Sequence, residues 1–386
     1  MNYKRLGDYI KRISVKNTDG LAEILYGINI DKFFMPSVAN VIGTDLTRYK
    51  VVSSNQFACN RMHVGRDKRL PIALSDKDYD FIVSPAYDVF EINDVKALLP
   101  EYLMMWFTRE EFDRNCWFHT DSDVRGKLDW NAFMDMTLPI PSIEKQQQIV
   151  DEYNTVTNRI QLNEKINTNL EATAQALYKH WFVDYKFCQL KMLKDCVESA
   201  NTGLDAIKRA PIVIENTGIK CLRIQDVSKN KRFDNWGFTK VSLTNYEKFK
   251  LKKNDLIIAR TGATVGVNMF IKKNLRSVFN NGLIRIKTNQ SIHPTILNLI
   301  FKTSEFKEHI RTISFGTATQ PNMKIEELLS YELLIPKIEI QNNFVHHFLA
   351  LDNQIMINED INNSLVELQS LLLAKMTQVV AKARLV

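Results

Sequence analysis

Sliding the chain against itself by 195 residues brings 138–182 onto 333–377 without a gap, and about a third of the positions are then identical. The matches include Pro141/Pro336, Glu144/Glu339, Gln146/Gln341, Asn163/Asn358 and Asn167/Asn362. A chain with this internal duplication must fold as two related modules. The repeated piece also has a shape of its own. Each copy opens on Ile-Pro with a Glu close behind, which suits a helix N-terminus. Each then keeps a 4-3 spacing of seam positions over five heptads, with neither Gly nor Pro inside the run. A helix of about 40 residues is about 60 Å long, and a heptad stripe of that length asks for a partner helix.

The first seam reads Ile149, Tyr153, Val156, Ile160, Asn163, Asn167, Leu170, Ala174, Leu177, Trp181. The second reads Phe344, Phe348, Leu351, Ile355, Asn358, Asn362, Leu365, Gln369, Leu372, Met376. Asparagine in a buried seam loses hydration and gains little without a partner. Each helix could pack on its own domain, or the two could run parallel after a long return connection. The expected arrangement is antiparallel, because Asn163 then meets Asn362 and Asn167 meets Asn358 at the centre of the seam. Such pairs fix register at a cost in stability. Ile160, Leu170, Ile355 and Leu365 flank them.

The four segments are then 1–142, 143–182, 183–337 and 338–386: globular, helix, globular, helix. This is an α+β fold of two mixed α/β domains, each followed by a long helix. The helices form an antiparallel coiled coil with pseudo-two-fold symmetry. The globular parts match each other faintly, in "YKVVSSNQFACNR" against "FKLKKNDLIIAR" and in "LPEYLMMWFTREEF" against "HPTILNLIFKTSEF". Charge divides them. The formal net charge of +7 comes from segments of −2, −1, +12 and −2 in that order. The basic second domain points to a polyanion such as nucleic acid.

In that domain "IIARTGATVGVNMFI" (257–271) reads strand, glycine turn, strand. Arg260, Thr261 and Thr264 flank the turn, and Lys252, Lys253, Lys272 and Lys273 are candidate phosphate contacts. "SFGTATQPNMK" (314–324) supplies Thr317, Thr319, Gln320 and Asn322; Asn and Gln pair with adenine in the major groove. The corresponding loop of the first domain is "NRMHVGRDKR" (60–69), with Arg61, His63, Arg66, Lys68 and Arg69. A second is "HTDSDVRGK" (119–127), with Arg125 and Lys127. Because the first domain is slightly acidic, its contacts are expected to be local and not driven by a general field.

At 45% hydrophobic and 25% charged residues, the composition is that of a globular chain. No apolar run is long enough for a membrane span, and "MNYKRLGDYI" lacks a signal peptide's apolar stretch. Five cysteines without C-x-x-C spacing read as inert thiols in a reduced, cytoplasmic setting. There is no phosphate-binding G-x-x-x-x-G-K-[ST], no G-x-G-x-x-G after a strand, and no methyltransferase or nuclease motif. His346 and His347, adjacent on a helix, are expected to diverge, so no metal site is expected. No catalytic residue is expected in this chain.

"LPIPSIEKQQQIV" (138–150), "LLIPKIEIQNNFV" (333–345) and "ARTGATVG" (259–266), in this domain–helix–domain–helix order, resemble the specificity subunit of type I restriction–modification systems. "DVRGKLDWNAF" (123–133) departs from the Gly-Thr-x-x-Gln-x-Asn pattern at 316–322. The resemblance implies two target recognition domains, each reading one half of a bipartite asymmetric site on double-stranded DNA. It implies that the helices set the unread spacer and dock two modification (methyltransferase) subunits, with restriction subunits completing a host-defence nuclease. S-adenosylmethionine, ATP and Mg would then belong to those partners, and this chain would carry no cofactor. Two other readings stay open: a coiled-coil adaptor without DNA specificity, and the recognition fragment of a fused restriction–modification enzyme.

Overall fold

The structure is a computed structural model and describes residues 3–38, 43–120, 126–184, 188–314 and 321–378. Two compact units make up the chain: Met1–Asn163 with Asp360–Val386, and Glu164–Glu359. The unit boundaries fall within the two long helices, so each unit contains one globular domain and part of both helices. No helix among the described residues is long and apolar enough to cross a membrane.

In the first unit, four antiparallel strands lie in the order Ile10–Ile13, Asp88–Ile92, Phe57–Cys59, Ile72–Leu74. Phe57, Ala58 and Cys59 are all buried, because this inner strand is covered on both faces. Phe57 stacks on Phe90 at 5.0 Å and meets the edge of Phe107 from helix Pro100–Thr108 at 5.8 Å. Pro100 opens that helix, where its fixed φ and missing N–H cost nothing. A second helix, Glu110–Phe118, follows. A ribbon of Tyr3–Arg5 against Thr137–Pro139 leads into the first long helix.

The second unit repeats this plan: Val197–Thr202, Leu283–Thr288, Leu256–Ala259, Asn268–Phe270 in the same order, again antiparallel. Helix Pro294–Phe301, with Pro in its first turn, and helix Ser304–Ser314 follow. The ribbon is Gln189–Met192 against Glu332–Ile335. The faint likeness between the domains therefore reflects one shared sheet. They differ in the added strands. The first unit has two ribbons, Tyr26–Ile28 with Phe34–Pro36 and Lys50–Val52 with Phe81–Val83. The second has a separate four-stranded sheet that includes the parallel pair Lys220–Leu222 and Ser277–Phe279.

The long helices span Ile143–Tyr178, extended by a π-turn at Lys179–Val183, and Ile338–Gln378. In the first unit Asn163 Nδ2 donates to Asn362 Oδ1 at 2.7 Å, and Gln369 Nε2 donates to Thr157 Oγ1 at 2.7 Å. Val150 and Met376 share one core there. In the second unit Asn358 Nδ2 donates to Asn167 Oδ1 at 2.8 Å, and Trp181 stacks on Phe344 at 4.5 Å. Both units thus hold the helices antiparallel, with the asparagines paired as expected. A shift of 195 residues turns one amide pair into the other, donor onto donor. Ile355 is buried beside them, Ile160, Leu170 and Leu365 are half-buried, and the Ile160 carbonyl accepts Asn362 Nδ2 at 3.5 Å. Toward the helix ends the expected seam residues Ala174, Phe348, Leu372 and Met376 are buried, and the stripe widens by one residue to include Val150, Val345, Tyr178 and Phe182. There the helices pack on their own domains as well as on each other, and 3.6 residues per turn drifts from a strict heptad.

The repeated glutamines dock each helix onto its own domain. Gln146 and Gln341 are fully buried. Gln146 Oε1 accepts from the Leu99 N–H at 2.9 Å, and its Nε2 donates to the Ala97 and Pro141 carbonyls, both at 2.9 Å. Gln341 makes the matching bonds to His293 N–H (2.8 Å), Ser291 C=O (3.1 Å) and Pro336 C=O (2.8 Å). Only a side-chain amide supplies one acceptor and two donors in that space.

Candidate nucleic-acid interface

Strands Phe57–Cys59 and Leu256–Ala259 occupy the same place in their sheets, and each runs out into an arginine, Arg61 after Asn60 and Arg260 directly. The loops that follow are each clamped by a segment more than fifty residues further on. In the first unit the Arg61 carbonyl accepts from Leu128 N–H at 3.1 Å, and Gly65 N–H donates to the Gly126 carbonyl at 2.9 Å. In the second, the Arg260 carbonyl accepts from Met323 N–H at 2.8 Å and Gly262 N–H donates to the Pro321 carbonyl at 3.0 Å. Thr261 and Asn322 form a bridge between the same two segments. The fold therefore joins the two loops singled out in each domain into one composite edge.

Glycine is required at particular points of these edges. Gly262 and Gly266 have φ of 80° and 90°, the left-handed region that the tight turn after Arg260 needs. At Gly65 a Cβ would lie 2.8 Å from the Gly126 Cα. Gly65→Ala is expected to force backbone from backbone and to cost about 1–3 kcal/mol, seen as a lowered melting temperature. An unchanged melting temperature would show that the two loops are not clamped at this point.

The two arginines have opposite electrostatic fates. Arg61 is buried: Nε donates to Asp88 Oδ2 at 2.6 Å, Nη1 donates to the Leu128 carbonyl, and the guanidinium lies over Trp130 at 5.4 Å. Asp88 also binds Arg12. The charge of Arg61 is thus spent inside the fold. At the matching sheet position, opposite Ile258 as Asp88 is opposite Cys59, the second unit has Ile284 instead of Asp88. Arg260 stays half-exposed, donates through Nη2 to Asn322 Oδ1 at 3.2 Å, and has no partner for Nε.

The other expected contacts divide similarly. In the first unit Arg66 is exposed but ion-paired to Asp67 at 2.7 Å, which pushes its pKa up through the hydrogen bond. Arg69 donates to Asp31 at 3.0 Å. Lys68 and Lys127 are exposed, and Lys68 lies 4.6 Å over the ring of Trp117. His63 lies in the short helix Arg61–His63. In the second unit Lys252, Lys253 and Lys273 are exposed, while Thr261 and Thr264 are half-buried and Asn322 is exposed. Lys272 is drawn to Asp352 of the second long helix at 3.3 Å, so it fastens domain to helix. Arg125, Thr317, Thr319 and Gln320 lie outside the described residues.

The five cysteines are unpaired, and burial pushes their thiols up, that of Cys221 to about 12, so none is a thiolate at neutral pH. His346 and His347 do not diverge as expected. Their rings lie 3.8 Å apart, because side-chain torsions can fold neighbouring rings together on one turn, and Trp181 sits 5.1 Å from His347. Two features escaped the sequence reading. The identity of Gln146 and Gln341 between copies was a visible signal of a buried polar role. The exposed pair Trp117 and Phe118, beside the first unit's clamped loops, gave no such signal.

The family described as "Type I restriction modification DNA specificity domain" matches residues 71–172 and 189–367. The specificity subunit of the HindI type I restriction enzyme from Haemophilus influenzae is 29% identical over 160 residues, 40% of this chain and 34% of that one. The MjaVIII specificity subunit of Methanocaldococcus jannaschii is 23% identical over 271 residues, 64% of this chain and 63% of its own. The chain thus spans about a third and just under two thirds of these two relatives. The crystal structure of a type I restriction–modification S subunit from M. genitalium shares the fold, with a TM-score of 0.54 at 14% identity over 97% of this chain and 95% of that one.

Proposed function

Because the chain belongs to the type I restriction modification DNA specificity family, we propose that it is the DNA-recognition subunit of a cytoplasmic type I restriction–modification complex. Each globular domain reads one half of a bipartite, asymmetric site on double-stranded DNA. The long helices set the spacer and dock two modification subunits, which carry S-adenosylmethionine, while restriction subunits bring ATP and Mg. The chain itself reads and positions, and catalyses nothing.

One observation carries this reading. Two units share one sheet and one clamped-loop edge but place different side chains on it: a neutralised Arg61 in one, an available Arg260 beside Asn322 in the other. A common platform with unlike edges is what two different half-sites require. The amide-paired helices that run through both units are suited to act as the ruler.

Exchange of residues 183–332 for the matching domain of a relative should change one half-site of the methylated sequence and leave the other intact. Change in both halves would defeat the modular reading. One heptad inserted at matched points of both helices keeps the seam in phase and adds about 10 Å, about three base-pair steps. The preferred spacer should lengthen accordingly, and an unchanged spacer would remove the helices from the role of ruler. DNA affinity should also fall steeply with salt; salt-independent binding, or none, would favour a protein-binding adaptor.

A further inference from the structure

Phe118 is 81% exposed and its neighbour Trp117 is 43% exposed, at the end of helix Glu110–Phe118. Single exposed apolar residues are ordinary; this pair is placed unusually. The Trp117 carbonyl accepts from Thr120 N–H at 3.2 Å and from Thr120 Oγ1 at 2.7 Å, and Thr120 bridges to Leu128, which is clamped to Arg61. The two rings therefore stand at the foot of the composite edge. From the other loop Lys68 takes a left-handed backbone, φ 53°, uncommon for a side-chain-bearing residue, and lies over the Trp117 ring. Lys68 is exposed over the Trp117 ring, and Lys127 is exposed on the other clamped loop, which suits an anionic partner with apolar faces or edges.

The second unit makes the contrast. Buried Phe112 and Phe306 hold the same place in the two helices. Counting on from them, Trp117 and Phe118 correspond to Arg311 and Thr312. Where the basic second domain offers charge, the acidic first domain offers aromatic surface.

We infer that Trp117 and Phe118 are specificity-determining contacts of the first domain, with Phe118 meeting a base of its half-site and Trp117 carrying Lys68 toward the backbone. This rests on the DNA-recognition function proposed above. A phenyl ring meets DNA bases by packing on a thymine methyl or by wedging at a base step. Either contact releases no phosphate counterion. It therefore adds affinity without adding salt dependence, in contrast to a lysine–phosphate contact.

The test uses the full chain, duplexes selected from a random pool by the wild type, and binding measured across a salt series. Phe118→Ala is expected to bind the selected duplex about tenfold more weakly, with an unchanged salt slope. Its own selected sequences should relax in one half-site only. Phe118→Tyr keeps the ring and should stay within about twofold of wild type, which separates lost contact from lost fold; melting temperatures of both should match wild type. Equal affinity of Phe118→Ala and wild type, or a loss shared equally by unselected duplex, would overturn the inference while leaving the DNA-recognition function standing. Absence of salt-dependent DNA binding by the wild type would overturn both.

Discussion

Gln341→Leu is expected to lower the unfolding free energy of the second unit by about 3–5 kcal/mol, since leucine leaves three buried backbone groups without a partner at about 1–3 kcal/mol each. Those groups are the His293 N–H and the Ser291 and Pro336 carbonyls. Gln146→Leu should act equally on the first unit through Leu99, Ala97 and Pro141. Amide hydrogen exchange, read separately over each unit, checks this: each substitution should raise exchange in its own unit first. Gln341→Glu is a sharper probe, because an ionised carboxylate accepts but cannot donate to two carbonyls. Burial raises the pKa of such a carboxyl. Its folded-state pKa then exceeds the unfolded one, so the variant should be weakest at neutral pH and recover as pH falls. A loss below about 1 kcal/mol for leucine would mean that water replaces the amide and that the docking is not a dry contact.

The asparagine pairs should behave in the opposite way to a simple core. Asn358→Leu strands Asn167 opposite a leucine and removes the acceptor of Gln354, whose Nε2 donates to Asn358 Oδ1 at 3.0 Å; a loss of about 1–3 kcal/mol is expected. Asn163→Leu should cost about 1 kcal/mol less, because Asn163 Oδ1 already lies buried without a partner and its desolvation is relieved. The repeat explains the difference: Arg159 stands where the second copy has Gln354. Arg159→Gln should therefore stabilise the first unit by about 1 kcal/mol. Replacing all four asparagines with leucine should raise stability but loosen register. Cysteines placed at Thr157 and Gln369, hydrogen-bonded partners in this fold, would then cross-link incompletely in the leucine variant and fully in the parent. Full cross-linking in both would show that something other than the amides sets the register.

Much of this molecule was written in local and repeated pattern. The 195-residue self-match and the heptad spacing specified two helices and central asparagines that need partners, because a periodic stripe and a buried polar residue each leave few ways to be satisfied. The antiparallel sense was the expected one, and the amide pairs found are those it requires. The run 257–271 declared its strand, turn and strand through glycines that alone accept the φ values found there. The proline-led helices at Pro100 and Pro294 were equally legible.

What a charged side chain does was decided elsewhere. Arg61 and Arg260 end equivalent strands, yet Asp88, brought alongside by a strand 27 positions away, neutralises the first, while Ile284 in its place leaves the second available. Lys272 looked like a phosphate contact until the second long helix placed Asp352 beside it. Phe118 is exposed at the end of its helix, beside two loops that only the fold clamps together. Periodicity along a chain determines which face of an element is buried. Solvation and charge pairing depend on neighbours across space, and only the long-range strand pairings supply those.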